Sequence, residues 1–309
     1  MEKLRIVYLG TPEFAVLPLK KLVECKDYSV VAVVTNNDKP VGRKQILTPP
    51  PVKKFAIEQG IPVYQYAKIR AEGVEDLRAL QPDLMITCAF GQILSQEILD
   101  IPKYGVVNIH ASLLPKYRGA SPIHYAILNG EKTTGITIMK TDIGIDTGDM
   151  ILQKEMEILP QETCGELFVR LSELGADCLM QCLPTIFDSS AKYIKQNHEL
   201  ATFSKVIKKE YALVDWSKDA QEIYNQVRAF NPAPVAFTYM DGNPFKIYSA
   251  KVVEMQGKPG QILKSDNELI IACGNNAISL LMVQKAGGKP MCIKDFLRGN
   301  KFAVGSEFK

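Results

Sequence analysis

Several features that enzymes and binding proteins depend on are missing from this sequence, and each absence excludes a class of function. There is no phosphate-binding loop ending in Gly-Lys-Ser or Gly-Lys-Thr, which disfavours ATP-driven chemistry. The seven cysteines have neither metal-ligand spacing nor an even disulfide framework, so we expect reduced thiols and no metal site. No hydrophobic run approaches membrane-spanning length. The sequence therefore predicts a soluble protein with no membrane partner.

Histidines and cofactor-binding glycine motifs are scarce as well. None of the three histidines has a second His or Cys at ligand spacing. Gly10-Thr11-Pro12 follows the first strand-like run, but Pro12 replaces the glycine that lets a backbone approach a pyrophosphate, so a strand-to-helix turn is the better interpretation. Nicotinamide cofactors are therefore disfavoured. The run itself, 4–9, leaves no room for a signal or transit peptide, and we expect a cytoplasmic protein.

What the sequence does have is an alternation of short apolar runs with helical patterns over its first part. The predicted strands are 4–9, 30–35, 84–89, 105–110 and 136–139, and the predicted helices are 12–25, 49–60, 72–81, 121–129 and 163–189. Such alternation is typical of βαβ units around a mostly parallel sheet. We therefore predict an α/β fold whose Rossmann-like domain covers 1–189 and binds ligands beyond the carboxyl ends of its strands.

The last third of the chain has a different pattern. The segment 190–207 is polar and lacks a clear period, which predicts a linker. A helical stretch at 219–229 precedes strand-like runs at 235–240, 245–254, 260–264, 269–273 and 278–284. Strands of this length and spacing predict a smaller OB-like β-barrel domain over 208–309. Residues 206–309 contain 14 Lys and Arg against 10 Asp and Glu, which suits a polyanionic partner and an ordinary solvated surface equally well.

The most informative stretch runs from 105 to 148. Asn108 and His110 stand two residues apart at the end of an apolar run, and residues i and i+2 of a strand share a face. Asp146 lies in a later glycine-spaced loop, where it either orients the imidazole or is an ordinary turn residue. An amide, a titrating ring and a carboxylate suit acyl transfer. We predict that Asn108 and a protonated His110 stabilise an oxyanion, and that Asp146 holds His110. The proton of an attacking amine goes to Asp146 or to water.

A basic, glycine-containing stretch, 39–44, lies between a strand-like run and a helical pattern. Arg43 and Lys44 are placed there to reach a phosphate backbone. A solvated loop explains the same residues equally well, so the stretch does not decide the partner by itself.

These residues resemble the methionyl-tRNA formyltransferase family, and the resemblance covers nearly the whole chain. The segment 10–15 is similar to that family's opening turn, and Pro40-Val41-Gly42-Arg43 is similar to its acceptor-arm loop. The segments 108–119 and 142–148 are similar to the signature that folate-dependent formyltransferases share.

The resemblance implies a set of site residues, substrates and partners. The implied catalytic residues are Asn108, His110 and Asp146, the implied folate-binding residues are Ser112, Leu113, Leu114, Pro115, Phe90 and Gln92, and the implied tRNA-binding residues are Arg43 and Lys44. The pterin would be held by backbone around 90–92 and by the 139–146 loop. The implied co-substrate is 10-formyltetrahydrofolate, and the implied acceptor is the α-amino group of methionyl initiator tRNA. A basic face of the OB-like domain would lie along the tRNA, and the protein would be a monomer.

The signature specifies formyl transfer from folate more strongly than it specifies the acceptor. The segment 44–47 departs from the glycine-then-lysines run of some members, which leaves the acceptor-stem contacts open. A formyltransferase acting on an amino-sugar nucleotide is the nearest alternative, and a non-catalytic tRNA-binding protein is the second. The basic loop and the basic second domain favour tRNA, and the intact Asn108, His110 and Asp146 argue against an inactive protein. Glycinamide ribonucleotide formyltransferases usually end before a second domain of this kind.

Overall fold

A computed structural model describes residues 3–42 and 44–308, and the chain divides into two compact units. The first unit comprises Met1–Pro122, Thr134–Glu157 and Phe168–Lys205, and the second comprises Ile123–Thr133, Ile158–Leu167 and Val206–Lys309. Each unit has a buried hydrophobic core of its own.

The first unit is built on a mostly parallel sheet. The strands up to residue 205 are β1 (Leu4–Gly10), β2 (Tyr28–Thr35), β3 (Lys39–Val41), β4 (Ile46–Thr48), β5 (Val63–Gln65), β6 (Leu84–Cys88), β7 (Val106–His110), β8 (Arg118–Gly119), β9 (Thr133–Lys140), β10 (Met150–Glu157) and β11 (Phe203–Ser204). Within the described residues the sheet has the order β10-β9-β7-β6-β1-β2-β5, and β9 runs antiparallel to β7. The strand order reverses at β1, so a crevice is expected where β1 and β6 end.

Helices connect these strands, as the alternating pattern predicts. They are α1 (Val16–Glu24), α2 (Pro51–Glu58), α3 (Ile69–Glu72), α4 (Val74–Ala79), α5 (Gln96–Leu99), α6 (Pro122–Leu128) and α7 (Cys164–Phe187). A reciprocal capping box starts α7: the Thr163 N–H donates to Glu166 Oε2 at 2.8 Å, and the Glu166 N–H donates to Thr163 Oγ1 at 3.3 Å. The Thr163 N–H and the Thr163 hydroxyl both donate to the Glu166 carboxylate, and these two bonds lower the pKa of Glu166. The long helix predicted over 163–189 is therefore confirmed.

Some elements of the first unit differ from the sequence-based expectation. The helix predicted at 72–81 is two short helices that meet at Gly73. The strands β3, β4, β5 and β10 were not predicted, because the first three have only three residues each and β10 has exposed polar residues along one side. The polar segment 190–207 contains β11, which pairs with β8 in parallel.

In addition to α6, of which all but Pro122 lies within Ile123–Thr133, the described residues of the second unit include an antiparallel sheet and two further helices. They are α8 (Ala220–Ala229), α9 (Ile293–Gly299), β12 (Ala236–Met240), β13 (Asn243–Val253), β14 (Ile262–Ser265), β15 (Leu269–Ala272), β16 (Ala277–Lys285) and β17 (Met291–Cys292). The strand order is β12-β13-β16-β15-β14, with β17 beside β16. Among the described residues these pairings leave β12 and β14 as edge strands, so no closed barrel is found. Closure depends on register and strand tilt, which strand spacing in a sequence does not reveal.

Candidate active site

Asn108 and His110 lie on one face of β7, close to the carboxyl edge of the sheet. Pairing with β6 places Asn108 opposite Thr87, and pairing with β9 places His110 opposite Thr137. The strand positions between and before them are apolar and buried. The two-residue period of the strand therefore directs both polar side chains to the same side.

Asn108 presents its amide nitrogen to the site. The Thr87 hydroxyl donates to Asn108 Oδ1 at 2.9 Å, and Asn108 Nδ2 donates to Asp146 Oδ1 at 3.4 Å. An ionised carboxylate only accepts hydrogen bonds, so Asp146 fixes which end of the amide faces it. Thr87 was not predicted as a site residue, although a single hydroxyl in the buried apolar strand β6 was a usable signal.

The imidazole of His110 is buried, and its two nitrogens have different partners. Nε2 lies 3.0 Å from the carbonyl oxygen of Tyr117, and because a carbonyl only accepts, Nε2 carries a hydrogen. Nδ1 lies 3.6 Å from Asp146 Oδ2. Nε2 is thus committed to the backbone, and Nδ1 faces the Asp146 carboxylate.

Asp146 stands in the loop between β9 and β10, with a φ of 51° in the left-handed region. Asp tolerates this conformation better than most residues. Asp146 Oδ2 accepts a hydrogen bond from the Gly119 N–H at 2.8 Å, and the side chain is 18% exposed. The structure therefore brings together the carboxamide, imidazole and carboxylate that the sequence analysis selected.

The loop that carries Asp146 is closed at both ends. Asp142 Oδ1 accepts hydrogen bonds from the Gly144 N–H at 3.1 Å and from the Thr147 hydroxyl at 2.7 Å. At the other end, a Cβ on Gly148 would lie 1.8 Å from the Lys140 carbonyl oxygen, so only glycine fits there. These contacts fix the bend at which Asp146 projects.

The residues predicted to line a folate site at 112–115 form a turn anchored to the neighbouring strands. Ser112 is buried and its hydroxyl donates to the Lys116 carbonyl at 2.7 Å. The Leu114 N–H donates to Thr137 Oγ1 at 3.2 Å, and Gln153 Nε2 donates to the Leu114 carbonyl at 2.9 Å. Leu114 is buried, whereas Leu113 and Pro115 are half-buried.

Phe90 and Gln92 lie in the loop after β6, beside the crevice where the strand order reverses. The Phe90 ring is buried, and its carbonyl accepts from Thr11 Oγ1 at 3.1 Å and from Asn36 Nδ2 at 2.8 Å. Gln92 Nε2 donates to Asn36 Oδ1 at 2.8 Å and to the Tyr66 carbonyl at 3.0 Å. These bonds tie together the loops that follow β1, β2, β5 and β6.

A cysteine and a basic loop complete the surroundings. Burial raises the pKa of the Cys88 thiol, at the end of β6, to about 12, so Cys88 is a neutral thiol at pH 7 and a poor nucleophile.

The strands β3 and β4 form a hairpin over 39–48, in which Lys44 is exposed. Arg43, the other predicted tRNA contact, lies outside the described residues.

Comparison with known proteins identifies the family. A model of the formyl transferase domain matches residues 4–183, and a model of the formyl transferase C-terminal domain matches residues 206–301. A methionyl-tRNA formyltransferase of Acetivibrio thermocellus is 47% identical over 98% of both chains, and one of Bacillus subtilis is 47% identical over 97% of this chain and 96% of its own. This chain belongs to the methionyl-tRNA formyltransferase family.

Solved structures share the fold of this formyltransferase at low sequence identity. An N-formyltransferase from Helicobacter canadensis, in complex with folinic acid and dTDP-3-aminofucose, aligns with a TM-score of 0.69 at 22% identity, covering 92% of this chain and all of its own. HypX from Aquifex aeolicus, in complex with tetrahydrofolic acid, aligns with a TM-score of 0.63 at 18% identity, covering 96% of this chain, which spans 47% of that protein.

Two further residues of this formyltransferase contact the site and were not predicted. Gln196 donates to the backbone of Asp146, and the Arg118 guanidinium donates to Gln196. Arg118 lies inside the 108–119 signature, so its charge next to a predicted turn was a usable signal. Gln196 had none, because it stands in a polar stretch without a period.

Neither a metal centre nor a membrane-spanning helix is present in the part of the chain that the structure describes. No group of three or more His, Cys, Asp or Glu side chains is arranged to hold a metal ion there. Across the same residues, every helix is too short or too polar to span a bilayer.

Proposed function

We propose that this protein transfers the formyl group of 10-formyltetrahydrofolate to the α-amino group of methionyl initiator tRNA, giving N-formylmethionyl-tRNA for translation initiation. The grouping of Asn108, His110 and Asp146, in a chain 47% identical to a methionyl-tRNA formyltransferase, is the observation that supports the proposal most. Translation begins in the cytoplasm, and we infer that location from the substrate.

The chemistry begins with attack of the acceptor amine on the formyl carbon. As the new C–N bond forms, negative charge develops on the formyl oxygen, and Asn108 Nδ2 and the protonated Nδ1 of His110 donate hydrogen bonds to it. Re-forming the carbonyl breaks the bond to the folate nitrogen, which takes up a proton. Asp146 accepts the amine proton, directly or through water. The free amine is a sufficient nucleophile near neutral pH, so the general base contributes less to catalysis than the hydrogen-bond donors to the oxyanion. Each of these donors lowers the activation free energy by about 3 kcal/mol.

The folate would be bound mainly through backbone groups. The side chains of Ser112, Leu114 and Phe90 are buried within the protein, and Gln92 is hydrogen-bonded to neighbouring loops. The peptide groups of Leu114, Phe90 and Asp146 are already hydrogen-bonded within the protein, so other peptide groups of 112–115, 90–92 and 139–146 would meet the donors and acceptors on a pterin edge. Their position at the carboxyl edge of a parallel sheet is where such folds bind ligands.

We infer that three segments of the chain have different functions. Residues 1–189 would form the catalytic domain, 190–207 the connection, and 208–309 an OB-like domain that binds tRNA as part of a monomer. Arg43 and Lys44 would contact the acceptor arm. The excess of Lys and Arg beyond residue 205 supports a polyanionic partner for the second domain.

Acceptor specificity tests the proposal. The protein is incubated with 10-formyltetrahydrofolate and one of three acceptors: methionyl initiator tRNA, uncharged initiator tRNA, or a dTDP-linked amino sugar. Release of tetrahydrofolate is followed, and release with methionyl initiator tRNA alone is expected. The variant Asp146→Asn, which keeps the side-chain shape and removes its charge, controls for a contaminating enzyme.

The other outcomes each reject part of the proposal. Release only with the amino sugar would assign a different acceptor. No release with any acceptor, combined with measurable tRNA binding, would indicate a non-catalytic tRNA-binding protein.

A further inference from the structure

The segment after α7, which was expected only to connect two domains, holds the loop of Asp146 through one side chain. Gln196 is 5% exposed, and its Nε2 donates to the Asp146 carbonyl at 2.9 Å and to the Gly148 carbonyl at 2.8 Å. Its Oε1 accepts from Arg118 Nε at 3.1 Å and from Nη2 at 2.7 Å. Carbonyls only accept and a guanidinium only donates, so the orientation of this amide is fixed by its partners.

Arg118 ties the same segment to the other side of Asp146. Arg118 is 3% exposed, and its guanidinium nitrogen Nη2 lies 3.2 Å from His198 Nδ1. The backbone N–H of Arg118 donates to the Thr202 carbonyl oxygen at 2.9 Å. The next residue, Gly119, supplies the N–H that binds the Asp146 carboxylate at 2.8 Å. Residues 196–204 therefore hold Asp146 by its backbone through Gln196, and by its side chain through the strand that carries Gly119.

The backbone of Asp146 needs such support. Even Asp, which tolerates the left-handed region better than most residues, adopts a φ of 51° only where the neighbouring structure holds it there. Hydrophobic packing gives little help, because Ile143 and Ile145 in the same loop are 64% and 61% exposed. The two bonds from Gln196 hold the carbonyls on either side of Thr147, immediately after the strained torsion.

We propose that Gln196, itself held by Arg118, is a positioning residue for formyl transfer. It fixes the backbone torsion at Asp146 and thereby keeps the carboxylate in place between His110 and Asn108. The inference rests on the proposed function, because it assigns Gln196 an effect on turnover rather than on substrate binding.

The substitution Gln196→Glu tests this role with almost no change in shape. It keeps an oxygen for Arg118 but turns the donor into a carboxylate oxygen facing two carbonyl oxygens. A displacement of about 1 Å in a catalytic group costs on the order of 100-fold, so we expect kcat to fall about 10- to 100-fold. The KM values for folate and tRNA should stay within about twofold, because uniform binding is not altered.

The chain offers a matched control in Gln226. Its Nε2 also donates to two backbone carbonyls, Tyr211 at 2.8 Å and Leu213 at 3.0 Å, both in the second unit. Gln226→Glu makes the same chemical change in a unit that does not contain Asp146. Thermal unfolding of both variants measures the structural cost, and only Gln196→Glu is expected to lose kcat.

A pH series adds a readout that loss of stability alone does not predict. At acidic pH the carboxyl of the Gln196→Glu variant takes a proton and can again donate to one carbonyl. The ratio of variant to wild-type kcat should therefore rise as pH falls from 8 towards about 5, since a glutamic acid titrates near 4.3.

Three results would overturn the inference: a kcat for Gln196→Glu within twofold of wild type, an equal loss of kcat in Gln226→Glu, or a pH-independent ratio. If Gln196→Glu does not fold, Gln196→Met removes the donor without adding charge and is measured in the same way. Failure of both to fold would show that Gln196 serves the fold alone. Wild-type protein without formyl transfer would instead reject the proposed function.

Discussion

Asn108 and His110 each have one polar atom bound by a neighbouring residue and another that faces Asp146. Thr87 occupies Asn108 Oδ1, which leaves Nδ2, and the Tyr117 carbonyl occupies His110 Nε2, which leaves Nδ1. Both remaining nitrogens lie within 3.6 Å of the Asp146 carboxylate. The site is therefore organised before any substrate arrives, which is what electrostatic stabilisation of an oxyanion requires.

The substitution His110→Ala should lower turnover without an equal loss of folate binding. Removing one oxyanion donor costs about 100- to 1,000-fold in kcat. Tetrahydrofolate release measures kcat, and titration calorimetry with a non-reactive folate analogue measures the dissociation constant. A loss of folate affinity as large as the loss of kcat would contradict the role assigned to His110.

Secondary structure elements with a clear apolar period were predictable from the sequence, and those governed by distant contacts were not. β7 and α7 follow their apolar spacing, and the pair Asn108 and His110 follows from strand alternation alone. The edge strand β10 has a mixed, half-exposed surface that gives no strong pattern. Gln196 contacts a loop residue fifty positions earlier in the sequence, and local composition contains no sign of that contact.

The pairing of β8 with β11 depends on a glycine. Gly119 has a φ of 108°, and a Cβ there would lie 2.4 Å from the Ser204 carbonyl oxygen. The two strands can approach only because that position has no side chain. The N–H that binds the Asp146 carboxylate belongs to the same residue.

The substitution Gly119→Ala should therefore reduce both stability and turnover. We expect a loss of about 2–4 kcal/mol in the free energy of unfolding, since backbone strain adds to separated strand hydrogen bonds. Gly60→Ala is the control, because Gly60 also has a positive φ, of 68°, but no atom within 4 Å of the added Cβ. Strain alone should cost the control about 1–2 kcal/mol, with kcat unchanged. Equal effects of the two substitutions in urea unfolding and in kcat would contradict the close-approach argument.

For the molecule as a whole, buried thiols in both units make the free energy of unfolding depend on pH in the alkaline range. Burial raises the pKa values of Cys88, Cys164, Cys182 and Cys273 to about 12, from an ordinary value of 9.0. Between these two pH values the unfolded chain has lost thiol protons that the folded chain retains. The free energy of unfolding must then fall as pH rises through this window.

Urea unfolding at pH 8 to 11 measures this slope. We expect the free energy of unfolding to fall with pH, by at most about 1.4 kcal/mol per pH unit for each buried thiol. Cys88→Ala should reduce the slope, whereas Cys292→Ala, which removes an exposed thiol, should leave it unchanged. A flat profile would contradict the burial argument.

The kinetics of association with tRNA should depend on salt concentration, because the basic stretch 39–44 is expected to contact phosphate groups. Arg43→Ala is expected to raise the KM for methionyl initiator tRNA and to reduce the salt slope of log kcat/KM by about 1. Lys26→Ala is the control, because Lys26 is exposed just before β2 begins, at the opposite edge of the sheet from the site. Identical tRNA kinetics for the two variants would show that the loop is ordinary surface.

The hydrogen bonds by which residues 196–204 hold the Asp146 loop also have a consequence for biosynthesis. The ribosome extrudes Asn108, His110 and Asp146 well before Gln196 and Ser204. A nascent chain halted at residue 189 would possess all three reactive groups, but the loop between β9 and β10 would lack the amide that holds its carbonyls. We therefore expect competence for formyl transfer to be acquired late in synthesis, when the segment that contains Gln196 has left the exit tunnel.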